Sequence, residues 1–368
     1  MNHVRPDTLE TTRAAAGRHT GTTMNKVARF KELGLRNTAN MVLLYCLKKH
    51  ELFQRFVRIR PVMASIKVTE ACNSRCITCT LGQKHRHPDE LSQAEIMDLM
   101  EQLVRVGCRY VRFTGGEPLL RKDLPYLISQ ARKLGFQRVY VATNGLLLKK
   151  RALDLEGTTD VCVSLDGLEE VNDTIRGVKG DFRLSTKGIQ RIREHFPGVR
   201  IEIATTLLAM NLKDVQGLIQ LCVAMGARWF VNLFDTNPYF FQGIESAGFK
   251  PDRPGEVREA VAVIRGHSEK HPESFAFGQK EIDAVEAFLL HGTFPRHCIL
   301  GYTNIDIAST GEVYSGCWAM KPMGNIRRQP LEAILTDQAY TRRAMRMLTR
   351  QCPQCTCGWM VNTLYDNL

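Results

Sequence analysis

From residue 61 to about residue 235, short apolar runs alternate with amphipathic stretches, and this period constrains the fold more than any other feature. Strands are expected at Val62–Thr69, Tyr110–Thr114, Arg138–Thr143, Asp160–Leu165, Arg200–Thr206 and Arg228–Leu233. Between them, helices are expected from Ser92 to about Val106, at Leu124–Leu134, at Arg183–Phe196 and at Leu212–Met225. Ser92 with Glu95 three positions later reads as a capping box, which fixes where the first helix begins. Alternation of this kind argues an α/β fold with a parallel sheet covered by helices. Six units are too few for a closed eight-fold barrel. An open partial barrel and a flat doubly wound sheet both satisfy the period, and in either one ligands sit at the carboxyl ends of the strands.

The rest of the 368-residue chain is less regular. Hydrophobic residues make up 44%, so the chain has ample material for a core and is not disordered over most of its length. Net charge is +12, unevenly spread. Residues 24–60 hold nine Lys/Arg and two Asp/Glu, a local +7, with apolar Val27, Phe30, Leu33, Val42, Leu43 and Leu47 at largely helical spacing. This basic segment reads as a helical lid on the larger domain, as a helix on an anionic membrane, or as a contact for an anionic substrate or partner. Residues 1–23 read as a flexible tail without the apolar region of a signal peptide. The longest apolar run near the N-terminus, Met41–Leu47, is too short to span a bilayer, and a cytoplasmic location is expected. No helix-turn-helix, RNP-like or zinc-finger pattern points to nucleic acid.

Eight of the twelve cysteines fall in two clusters. Cys46, Cys108, Cys162 and Cys222 stand alone in apolar stretches and read as small buried hydrophobes. Just past the first strand comes Cys72-Asn-Ser-Arg-Cys76-Ile-Thr-Cys79. Three thiolates so close can hold one side of a four-iron cube and leave one iron open to a ligand. A zinc site with His85 or His87 as fourth ligand is the competing reading. Past the second strand lies Gly115-Gly116-Glu117-Pro118, where two glycines let backbone approach a ligand and a carboxylate can hold an ammonium group.

The cysteine triplet after strand one and the Gly-Gly-Glu-Pro after strand two resemble the radical S-adenosylmethionine (AdoMet) enzymes. The resemblance covers about residues 62–235 and implies a partial (β/α)6 barrel over 61–240. It implies a [4Fe–4S] cluster on Cys72, Cys76 and Cys79 whose open iron binds AdoMet, reduced by a partner such as flavodoxin or ferredoxin. It further implies AdoMet contacts from Gly115, Gly116, Glu117 and Pro118, from Thr143 and Asn144, from Ser164 and Asp166, and from Arg176 as partner of the AdoMet carboxylate. One departure is Thr78, where the family usually carries an aromatic residue.

After a helical connector at 241–297, Thr303–Ala308 and Glu312–Ser315 read as a hairpin that brings Cys298 and Cys317 together. A helix over Pro330–Leu348 then leads to Cys352-Pro-Gln-Cys355-Thr-Cys357. Four thiolates make a closed site for zinc or a second iron–sulfur cluster. The layout of 298–368 resembles the twitch form of the SPASM extension, which implies an auxiliary [4Fe–4S] cluster on Cys298, Cys317, Cys352 and Cys355, with Cys357 extra. Enzymes of this layout oxidise or epimerise small molecules or modify peptides. The short N-terminal segment differs from a leader-peptide-binding domain, so a sugar or aminocyclitol undergoing dehydrogenation or epimerisation is the expected substrate. The alternatives are a peptide-modifying enzyme and, in another class, a non-enzymatic zinc- or cluster-stabilised interaction protein. Asn232, Asp235 and Tyr302 are candidates to line the substrate side, and catalytic acid/base residues are unassigned.

Overall fold

The structure is a computed structural model that describes residues 61–80, 85–234, 248–292, 298–349 and 351. The expected tail, the basic helical segment 24–60, Cys46, Asp235, Cys352, Cys355 and Cys357 lie outside the described residues.

In chain order the main elements are β1 (Met63–Thr69), α1 (Gln93–Val106), β2 (Tyr110–Gly115), α2 (Leu124–Lys133), β3 (Arg138–Thr143), β4 (Asp160–Ser164), α3 (Glu169–Arg176) and α4 (Asp181–His195). They continue with β5 (Arg200–Leu207), α5 (Val215–Ala224), β6 (Arg228–Leu233), α6 (Pro254–Lys270), α7 (Gln279–His291) and β7 (Asn304–Ile307). The last are β8 (Glu312–Tyr314), β9 (Gly324–Asn325), α8 (Leu331–Thr336) and α9 (Gln338–Leu348). The nine strands form one open sheet in the order β6-β5-β4-β3-β2-β1-β7-β8-β9. Strands β1 to β6 are mutually parallel, β7 is parallel to β1, and β8 and β9 run antiparallel beyond it. The six-unit partial barrel is therefore present and does not close. The C-terminal hairpin extends the same sheet past β1 rather than standing apart from it.

Period-two alternation divides the faces. Val111, Phe113, Val139, Val141, Val161, Val163, Ile201 and Ile203 point to the helices and join one apolar core with Ile96, Leu99, Met100 and Leu103 of α1. Those four α1 positions repeat at helical spacing and are fully buried, each contributing about 1.5–3 kcal/mol. The capping box forms as expected: the Ser92 hydroxyl accepts from Glu95 N at 3.3 Å, and Glu95 Oε2 accepts from Ser92 N at 2.8 Å. Helices α6 and α7 occupy the stretch read as a connector, and Val257, Val261, Ile264, Ile282 and Val285 enter the same core. Trp229 of β6 is buried edge-to-face with Phe275 and against the tilted ring of Phe277, with its indole N–H donating to Thr205 Oγ1 at 2.9 Å. Cys108, Cys162 and Cys222 are buried, as expected of small hydrophobes.

Two local expectations change. The single helix over Pro330–Leu348 is two helices, because Asp337 adopts an extended backbone and its carboxylate caps α9 at Ala339 N, 2.7 Å away. Helix α3 was not anticipated from sequence: half of its eight residues are charged and it buries only Asn172 and Ile175. No helix among the described residues is long and apolar enough to cross a membrane.

Candidate metal and cofactor site

The cysteine loop leaves the carboxyl end of β1 and is held on both sides by backbone. On one side Gly116 N donates to Thr69 O and Glu117 N to Ala71 O, both at 2.8 Å. On the other, Arg75 N donates to Arg176 O at 3.2 Å and Ile77 N to Ile175 O at 2.9 Å. The loop is thus strapped between the turn after β2 and the end of α3. Asn144 reaches in from the end of β3, its Nδ2 donating to Asn73 Oδ1 at 2.7 Å and lying 3.8 Å from Cys72 Sγ. Cys72, Cys76 and Cys79 are all half-buried. Glu90, which sequence reasoning passed over, anchors the loop's entry. Its buried carboxylate accepts from Thr69 Oγ1 at 2.9 Å and from Glu70 N at 2.7 Å.

The two glycines have a structural reason to be there. A Cβ on Gly116 would lie 2.2 Å from Ala71 O and 2.5 Å from Glu70 O, and one on Gly115 would lie 2.4 Å from Thr69 O. Both substitutions drive carbon into backbone of the cysteine loop. Glu117 is fully buried and its carboxylate is a clamp. It accepts from Leu119 N at 3.0 Å, Thr143 Oγ1 at 2.8 Å and Asn144 N at 2.7 Å. Burial pushes its pKa up against those three hydrogen bonds. The clamp joins the turn after β2 to the end of β3, so Glu117, Thr143 and Asn144 form one unit.

Arg176 and Asp166 also converge. Arg176 Nη1 donates to Asp166 Oδ2 at 3.1 Å, and Asp166 Oδ1 accepts from Thr206 N at 2.7 Å. With the two side chains 12% and 3% exposed, this is a buried pair and not a surface one. Asn172 donates to Asp166's neighbour in the network, Asp181, at 2.7 Å, and burial raises Asp181 to about 6. Burial likewise pushes the Cys76 thiol up to about 12, with the Arg176 guanidinium opposing it. Ser164 ends β4, half-buried on the inner face.

The residues present fit an iron–sulfur cluster. The donor set is three soft thiols on one loop. Beside them two buried polar atoms, Ser74 Oγ and Arg176 Nε, have no hydrogen-bond partner. Among the described residues no three His, Cys, Asp or Glu side chains are arranged around a single ion. A four-iron cube takes each thiolate at a different corner and does not need that arrangement. Of the histidines considered for zinc, His85 and His87 are exposed, and His87 Nδ1 already accepts from Asp89 N at 3.1 Å.

At the second site Cys298 and Cys317 share one small apolar cluster with Leu300 and Met347. The hairpin does bring the two cysteines together. Tyr302 is 2% exposed and packs its hydroxyl 3.9 Å from Met345 Sδ of α9, so it supports the helix rather than lining a substrate surface. Asn232 is exposed near the end of β6.

Comparison with known proteins agrees with this geometry. The Radical SAM superfamily signature matches residues 66–222, and the SPASM iron–sulfur cluster-binding domain matches residues 298–357. An AdoMet-dependent heme synthase of Nitratidesulfovibrio vulgaris is 31% identical over 315 residues, 79% of this chain and 85% of that protein. The sporulation killing factor maturation protein SkfB of Bacillus subtilis is 30% identical over 170 residues, 45% of this chain and 41% of that protein. The chain spans only about two fifths of the length of the first curated relatives it matches. Among solved structures, Streptococcus suis SuiB bound to its precursor peptide SuiA has the same fold, with TM-score 0.61 at 17% identity over 83% of this chain and 70% of that one. The chain belongs to the radical SAM superfamily and carries a SPASM-type extension. Its cofactors are a [4Fe–4S] cluster, AdoMet and an auxiliary cluster. The sugar or aminocyclitol substrate expected from sequence finds no support among these relatives.

Proposed function

We propose that this radical AdoMet enzyme modifies a peptide, with Cys72, Cys76 and Cys79 holding the AdoMet-binding cluster and Cys298, Cys317, Cys352 and Cys355 the auxiliary one. When bound and reduced, the first cluster supplies the electron that cleaves AdoMet to methionine and a 5′-deoxyadenosyl radical able to take hydrogen from carbon. The chain's own share is positioning and exclusion. The Glu117 clamp fixes the turn at Gly115–Gly116 and turns the Asn144 amide toward the cysteine loop. The carbonyls of Ile175 and Arg176 set the loop's other side. Arg176, with Nε unpartnered, would hold the AdoMet carboxylate, and Ser164 at the end of β4 would contact the cofactor as well.

The observation that carries the peptide reading is the kinship with a maturation protein over the barrel itself. The sheet is open, and its end strand β6 exposes Asn232 on the inner face, a polar group that an extended chain could meet. A second reading, a carboxylated tetrapyrrole, is favoured by a relative that matches over most of its length, a heme synthase. The test is anaerobic incubation of the reconstituted protein with AdoMet, a low-potential reductant and each of two substrate sets: peptides encoded by short reading frames beside its gene, and Fe-coproporphyrin III. A mass change on a peptide together with 5′-deoxyadenosine supports the first reading. Decarboxylated porphyrin product replaces it with the second.

A further inference from the structure

The inner face of the partial barrel carries a polar row that none of the cofactor motifs uses. Asp306 of β7, Ser65 of β1, Arg112 of β2 and Tyr140 of β3 stand side by side in register. Arg112 lies between Val111 and Phe113, which point to the helices, so its side chain points inward. Its guanidinium sits over the Tyr140 ring at 5.1 Å, and the Tyr140 hydroxyl is fixed by donating to Glu202 Oε2 at 2.7 Å.

Arg112 donates no hydrogen bond to an acceptor among the described residues. Its Nε is buried with no hydrogen-bond partner. The other inward arginines nearby are paired: Arg138 and Arg200 both bind Asp160, and Arg228 lies 3.9 Å from Glu202. Asp306 and Glu202 act on Arg112 only through space, without a hydrogen bond. A second inward cation, Lys67, is engaged by Glu70 at 3.3 Å and by the Trp318 ring at 5.2 Å. The Arg112 side chain is half-buried, and its buried, unpartnered Nε calls for an acceptor. The Tyr140 ring takes up one side of the guanidinium, and its remaining N–H groups are a planar fork of donors matched to a carboxylate. Three residues of strand, about 10 Å, separate Arg112 from the cofactor turn at Gly115. A carboxylate seated here would hold its substrate inside the barrel, with the carbons a few bonds away lying toward the mouth.

We propose that Arg112 is the substrate-anchoring residue and that it binds a carboxylate of the substrate. This rests on the reading that the inner face takes the substrate, and the carboxylate can belong to an acidic peptide or to a tetrapyrrole propionate. The test measures binding directly, in the reconstituted full chain with AdoMet present and no reductant. One arm uses coproporphyrin III and its tetramethyl ester, followed by porphyrin fluorescence. The other uses a glutamate-rich peptide and its glutamine counterpart, followed by calorimetry. Wild-type protein is expected to bind one acid and to reject its ester or amide. Arg112→Gln should weaken that acid about 30- to 100-fold, and Arg112→Lys about tenfold, because an ammonium keeps charge but loses the fork. Iron content and melting temperature identify a variant that has merely misfolded, and the Lys variant then decides. Equal affinity of wild type and Arg112→Gln for the acid, or no preference of wild type for acid over ester and amide, overturns the proposal. If the acid binds through Arg112 yet is never modified under turnover conditions, the functional reading fails while the carboxylate site stands.

Discussion

Replacing Gly116 by Ala adds one carbon where there is no room for it. The new Cβ would meet Ala71 O at 2.2 Å, Glu70 O at 2.5 Å and Ala71 C at 2.6 Å, all backbone atoms just before Cys72. Ordinary contact begins near 3.4 Å, so the strand end or the turn must shift by about 1 Å. Gly116 has no left-handed backbone, so the penalty is steric and not conformational. Overpacking against backbone costs about 3 kcal/mol, at the upper end of its usual range because no flexible side chain can yield. For a chain of this size that lowers the apo melting temperature by roughly 4 °C. The same shift breaks the Gly116 N to Thr69 O and Glu117 N to Ala71 O hydrogen bonds, which position the cysteine loop. Reconstituted iron should then fall by about four atoms per chain, the content of one cube. Gly198→Ala is the control, since a Cβ there meets nothing within 4 Å and the backbone is not left-handed. It should melt within about 1 °C of wild type, as surface substitutions do. Differential scanning calorimetry and iron analysis on the two variants test the reasoning. A Gly116→Ala protein that matches Gly198→Ala in both would show that the glycine is not required by the loop's backbone.

Other outcomes follow from the same contacts. Changing Cys72, Cys76 and Cys79 together to Ala should remove about four irons and all reductive AdoMet cleavage, while the auxiliary cluster's absorbance stays; iron analysis and 5′-deoxyadenosine release measure both. Asp160 is fully buried; burial opposes its ionisation, but the hydrogen bond and charge of Arg138, with Arg200, outweigh burial and hold its pKa below the usual value. Its contribution is therefore full above about pH 4 and is lost as pH falls through the lower folded value. Asp160→Asn should cost about 3 kcal/mol at pH 7 and progressively less in acid, read from urea melts across pH. Asp166→Asn weakens the buried partner of Arg176, and the expected result is a shifted cluster EPR signal with a raised AdoMet Kd, where a purely structural role would move only the melting temperature. Asp337→Ala removes the cap of α9 and should cost about 1 kcal/mol by thermal melt.

What the sequence determined by itself was whatever repeats locally or stands contiguous. Strand and helix periods placed β1 to β6 within a residue or so, because each strand hides one face and each helix one stripe. The Ser92–Glu95 box fixed the start of α1 because capping needs only residues three apart. The cysteine triplet and Gly-Gly-Glu-Pro were legible as chemistry since each lies in a single turn. Tertiary structure alone decided the rest. The sheet's continuation through β7 pairs residues some 240 positions apart, Met63 with Asn304, and no local period carries that pairing. Glu117 reads from the sequence as a ligand for an ammonium group; that its carboxylate also accepts from Thr143 and Asn144, besides Leu119 N, is visible only once β2 and β3 are juxtaposed. Arg112 was one basic residue among fifty in the sequence. Its place over Tyr140, two strands from Asp306 and with its Nε unpartnered, appears only in the folded sheet, because pairing across a parallel sheet is set by register and not by neighbours in the chain.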